Sequence, residues 1–115
     1  MWDRARLASG LSALLLSGCM EALPESVALK PEAAKVEVVS EAPNADVYEP
    51  VGEVSAQIIG REVTEVFREA CNELRNQAAT RQASFVAITD VTSKAAWDMS
   101  GRTVMTVTGV AYKPK

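Results

Sequence analysis

Between residues 51 and 59 apolar and polar side chains alternate. Gly52, Val54, Ala56 and Ile58 fall on one face of an extended strand, and Glu53, Ser55 and Gln57 fall on the other. A period of two marks a strand with one face on a core and one in water. From residue 61 to about residue 81 the period changes. Val63, Val66, Phe67, Ala70, Cys71, Leu74 and Ala78 recur at i, i+3, i+4 and i+7, the single stripe of an amphipathic helix of about five turns. Its other side carries Glu62, Glu65, Arg68, Glu69, Glu73, Arg75 and Arg81. This charged face suits water or a docking partner, and pairs such as Arg61 with Glu65 would add a few tenths of a kcal/mol.

After the helix, Ser84-Phe85-Val86-Ala87-Ile88 is an unbroken apolar run, as in a strand covered on both sides or packed under the helix. Residues 95–101 predict a long hairpin turn. Residues 102–112 alternate again, with Val104, Thr106, Thr108, Val110 and Tyr112 on one face and the smaller Met105, Val107, Gly109 and Ala111 on the other. The second set suits a face close under a helix. A short strand at 36–39 and a turn-rich connection at 41–46 precede the long strands. The expected fold is α+β: a single small domain over residues 35–115, ordered β-β-α-β-β, with one amphipathic helix packed on one face of a mixed sheet. The strands flanking the helix run parallel if they share that sheet. The face bearing Ser55, Gln57, Thr106 and Thr108 stays wet or receives a partner, which makes Ser55 and Thr106 interface candidates.

The first residues follow neither period. Arg4 and Arg6 precede an apolar stretch over 7–16, and Leu16-Ser17-Gly18-Cys19 follows. Ten residues make a helix of roughly 15 Å, half of what a bilayer core demands. The segment therefore reads as the h-region of a signal peptide over residues 1–18. Leu16, Ser17, Gly18 and Cys19 resemble the bacterial lipobox at all four positions. That resemblance implies diacylglycerol on the Cys19 thiol, cleavage before Cys19 and acylation of the new amino group; two or three chains anchor a protein stably. Met20 stands where an aspartate would signal inner-membrane retention, so the expected location is the periplasmic face of the outer membrane. Residues 19–34 carry Pro24 and Pro31 and no sustained period. They read as the lipidated cysteine and a flexible tether, with a reach of at most about 50 Å.

Composition narrows the class further. With 48% hydrophobic residues and a net charge of −3, the chain is too apolar and too weakly charged for disorder. A pI of about 5.0 excludes a basic nucleic-acid binder. Loss of Asp3, Arg4 and Arg6 with the signal segment would leave 10 basic against 14 acidic residues, a net of −4, which argues against a polybasic grip on anionic lipid. There is no histidine, and the cysteines are Cys19 and Cys71 alone. Most hydrolytic triads and nearly every transition-metal site lack their ligands. Asp90 and Asp98 have no base or second ligand at catalytic spacing, and no phosphate loop or nucleophile elbow occurs. The reading is therefore no enzyme, no metal and no cofactor.

Several segments together carry a resemblance: Val51-Gly52-Glu53-Val54-Ser55, the helix end Leu74-Arg75-Asn76-Gln77-Ala78-Ala79, then Ala83-Ser84-Phe85-Val86 and the closing Gly109-Val110-Ala111-Tyr112. In order and spacing they resemble the small domain of the RcsF-type envelope sensor lipoproteins and the YbjQ-like proteins, over about 65 residues. The resemblance implies an envelope-sensing or interaction module, or a ring-forming scaffold. Gln82-Ala83-Ser84 stands where Gly-Ala-Asn is usual in that group. The sensor type carries disulfides across its domain, whereas a lipidated Cys19 leaves this chain Cys71 alone, and the metal-binding label of the YbjQ-like proteins finds no ligands here. Cys71, on the apolar stripe, is a small hydrophobe or an intermolecular thiol. Trp97 is an interface anchor or a core residue. The expected role is a lipid-anchored envelope protein that binds another envelope protein or monitors envelope state; the alternative is a self-assembling structural domain forming a homo-oligomer.

Overall fold

A computed structural model describes residues 23–115. The signal segment and the lipobox residues Leu16, Ser17, Gly18 and Cys19 lie outside the described residues. A 3-10 turn at Pro31–Ala33 leads into β1 (Glu37–Val39), β2 (Tyr48–Gly60), α1 (Val63–Thr80), β3 (Phe85–Ala95) and β4 (Thr103–Pro114). The four strands form one sheet in the order β1-β3-β4-β2. Strands β2 and β3 both pair antiparallel to β4 and therefore run parallel to each other, with β4 between them. Strand β1 pairs parallel with β3, from Glu37 opposite Phe85 to Val39 opposite Ala87. The fold is α+β, with the single helix packed on one face of the mixed sheet.

The helix stripe and the inner strand positions meet as the two periods require. Val66, Ala70, Leu74 and Ala78 are buried against Val54, Ala56, Ile58, Val86, Met105, Val107 and Ala111. Phe67 and Cys71 are half-buried at the margin, and Val63 is exposed. Helix α1 begins on an acidic cap: the Glu62 carboxylate accepts from the Glu65 amide at 3.0 Å, where it also opposes the positive end of the helix dipole. Arg61 is not paired with Glu65; Arg68 takes that carboxylate instead. Strand β2 carries a bulge between Pro50 and Gly52, and Gly52 has a φ of +146°, a backbone shape open to glycine at little cost.

The helix-to-strand turn places a non-glycine residue in the left-handed region. Gln82 adopts φ +60°; its amide bonds to the Ala79 carbonyl at 3.0 Å, and the Ala83 amide to the Ala78 carbonyl at 3.0 Å. This is a Schellman ending with a non-glycine residue in the left-handed position. The backbone strain there sets an expectation: Gln82→Gly stabilises the domain by about 0.5–1 kcal/mol in urea denaturation.

Residues 27–34, in the segment expected as a flexible tether, lie along α1. Glu69 accepts from the Val27 amide at 2.6 Å, and Asn72 donates to the Val27 carbonyl at 2.9 Å. Asn76, itself buried, accepts from the Lys30 amide and donates to the Ala28 carbonyl, each at 2.9 Å. Arg75 donates to the carbonyls of Ala34 and Val36 at 2.9 and 2.8 Å. Ala33 is fully buried, and Val27 packs on the core. The physical reason is backbone satisfaction: Asn, Arg and Glu side chains supply the partners that a strand neighbour would supply. Much of the helix side expected to face water thus holds the chain's own N-terminal segment. Asn76→Ala is expected to cost about 1–3 kcal/mol, because both strap groups lose their partner. Hydrogen exchange should show the Lys30 amide losing its protection first.

Candidate interaction surface

Two edges close the sheet, and they differ. At the β2 edge, the Gln77 side chain reaches from α1 to Ser55: its amide nitrogen donates to the Ser55 carbonyl at 2.8 Å, and its oxygen accepts from the Ser55 amide at 3.2 Å. Glu73 holds Gln77 in place with a 2.7 Å bond. A side-chain amide here occupies the place of a further strand, a form of edge protection. The opposite edge is left open. Strand β1 pairs with β3 only as far as Ala87, one residue before the register shift between Ile88 and Asp90. From Thr89 to Ala95 every residue of β3 is exposed, with β4 alongside it on one side only. Val91 points to the helix side, opposite Val107, yet is 44% exposed, because α1 lies mainly over β2 and β4.

The outer face is as polar at its centre as the alternation predicts. Ser55 and Gln57 are exposed and Thr106 is half-buried, with Gln57 donating to the Thr106 hydroxyl at 3.3 Å. Towards one end the face turns apolar: Tyr48 and Phe85 meet edge to face at 4.9 Å. Towards the other, Ile59, Ala96 and Val104 form a second small core closed by Leu23. The Ile59 amide donates to the Pro24 carbonyl at 3.0 Å, so the docked segment begins beside the β3–β4 turn.

That turn is tied down. The Asp98 carboxylate accepts from the Ser100 amide at 3.0 Å and pairs with Arg102 at 2.7 Å, while Arg102 also pairs with Glu25 at 2.7 Å. The hydrogen bonds from Ser100 and Arg102 hold the Asp98 carboxyl down at about 2. Arg61 donates to the Ser100 carbonyl at 2.9 Å. Trp97 is 66% exposed at this turn and so takes no part in the core; Met99 is 92% exposed beside it.

Cys71 is the free thiol of the described residues and is half-buried. It borders a shallow groove between β1 and α1, lined also by Val36, Val38 and Arg75. Burial pushes its pKa above the ordinary 9.0, and the Arg75 charge offsets this only in part. Alkylation at pH 7.5 is accordingly expected to run slower in the native protein than in the unfolded chain. The folded state holds the thiol proton more tightly than the unfolded state, so stability falls as pH rises past 9.0. Among the described residues no group of three or more His, Cys, Asp or Glu could hold a metal ion, and no helix is long and apolar enough to cross a membrane.

The sequence pattern singled out Ser55, Thr106, Trp97 and Cys71. The structure does not bring them together: Ser55 and Thr106 share the outer face, Trp97 stands at the turn, and Cys71 lies beside the helix. The strap-binding set Glu69, Asn72, Arg75 and Asn76 was missed, although two asparagines four apart on one helix side were its visible trace. No protein-family model and no curated protein matches the chain.

Proposed function

We propose that this is a lipid-anchored envelope protein, held on the periplasmic face of the outer membrane by acyl chains on Cys19, whose domain binds an extended segment of another envelope protein along β3. The open edge from Thr89 to Ala95 carries the binding reading. An unpaired edge offers a row of backbone donors and acceptors, which a partner strand satisfies while its alternate side chains supply selectivity. The contrast with the β2 edge supports it: Gln77 bonds the Ser55 backbone there, whereas among the described residues no side-chain bond is seen to the outer backbone of Thr89 to Ala95. The anchor rests on the lipobox resemblance of Leu16-Ser17-Gly18-Cys19 behind its apolar segment, and the sensing role on the resemblance to the RcsF-type group.

Intact-mass analysis of the membrane-extracted protein tests the anchor: the expected species starts at Cys19 and carries diacylglycerol. For the edge, a photo-crosslinking residue at Val91 or Ser93 is compared in cells with one at Ser55, where Gln77 occupies the backbone. One distinct envelope protein captured at the β3 positions and absent at Ser55 is the expected result. Capture of a second copy alone would make β3 a homo-oligomer seam, the self-assembling alternative, and equal labelling at all three positions would remove the edge reading.

A further inference from the structure

The path of the N-terminal segment fixes which end of the domain lies nearest the anchor. Leu23 packs on the cluster of Ile59, Ala96 and Val104 at the root of the β3–β4 turn, and Glu25 is paired with Arg102 of that turn. Cys19 precedes Leu23 by four residues, which span at most about 14 Å even when fully extended. A chain lipidated at Cys19 therefore cannot stand off by the full tether length. The turn comes down to the lipid surface with it.

We propose that the β3–β4 turn, through Trp97 and Met99, enters the headgroup region of the bilayer and seats the domain directly on the membrane; this rests on the lipid anchor proposed above. Three observations meet here. Trp97 and Met99 are the most exposed of the large apolar side chains, at 66% and 92%. Their exposure does not come from a loose loop, because Asp98, Ser100, Arg102, Arg61 and Glu25 tie the backbone in place, with Met99 held at φ +58° and Gly101 at +85°. The carboxylates of the tip are also matched: Asp98 and Glu25 both pair with Arg102, and Arg61 lies beside them, with Glu62 and Glu65 further back at the start of α1. Indole rings favour the membrane–water interface, where the ring is apolar and its N–H still finds partners. A bilayer is favoured over a protein as occupant because the anchor delivers the turn to lipid whether or not a partner is present.

Removal of residues 1–18 takes Trp2 with it and leaves Trp97 as the single tryptophan, so its fluorescence reports on this site alone. The mature lipoprotein, its lipidation verified by intact mass, is reconstituted into phosphatidylethanolamine–phosphatidylglycerol vesicles, with or without phosphatidylcholine brominated near the headgroup end of its chains. The expected result is blue-shifted emission, quenched about twofold or more by the brominated lipid. Emission of a water-exposed indole that brominated lipid leaves unquenched, in protein shown to be lipidated, overturns the seating and leaves the anchor standing. An unmodified Cys19 removes both. A blue shift seen in native membranes but not in pure lipid vesicles also overturns it, assigning Trp97 to a protein contact.

Discussion

Leu74→Ala is expected to destabilise the domain by about 3–4 kcal/mol. Leu74 is fully buried near the middle of α1, in the cluster with Val54, Ile58, Val107 and Ala111. Truncation removes its transfer free energy and leaves a void that strands on one side and a helix on the other cannot close, because both are fixed by backbone hydrogen bonds. In a domain of this size each kcal/mol shifts Tm by about 4–8 °C, so a fall of at least about 12 °C should appear in thermal unfolding followed by circular dichroism. Val63 lies on the same helix but is exposed. Val63→Ala is the control, with a change within about 0.5 kcal/mol. A Leu74→Ala variant melting within a few degrees of the parent would show that α1 is not seated on the sheet as described.

Gly109→Ala is the second large effect, at about 2–3 kcal/mol. Gly109 sits on the central strand β4 opposite Ile88, beside the register shift in β3 that precedes Asp90. A methyl group there would come to 2.7 Å from the Ala87 carbonyl oxygen and 2.9 Å from a Val86 methyl. The obstacle is mainly backbone. The Ala87 oxygen cannot retreat without disturbing the β3–β4 ladder, whereas a side chain could turn aside. Urea denaturation of the variant, with exchange of the Val86 and Ala87 amides as a local readout, should show both the lower midpoint and faster opening at this place. Retention of parental stability and protection would mean that the bulge lies elsewhere.

Much of the fold was legible because one-sided burial leaves its period in the sequence. The alternation at 51–59 and 102–112 and the stripe from Val66 to Ala78 became β2, β4 and α1, and the parallel relation of β2 and β3 followed from the helix between them. The second half of β3 was not legible. Thr89 to Ala95 are all exposed, so no face imposes a period, and the strand exists because β4 supplies its hydrogen bonds. The strap was silent for a related reason. Its hold consists of backbone groups bonded to helix side chains more than 40 positions away, and such pairing leaves no local pattern.

Among the candidate residues, Trp97 shows the same division. Its sequence neighbourhood marks a turn, but whether an indole in a turn is buried depends on what packs against it, and here Leu23 covers Ala96 and leaves Trp97 exposed. By itself the sequence determined the order and kind of the long elements and which faces of β2, β4 and α1 meet, because hydrophobic burial repeats with the geometry of each element. Only the tertiary structure decided the strand order, the capped and the open edge, and the course of the N-terminal segment, because these depend on hydrogen-bond partners brought together from distant parts of the chain.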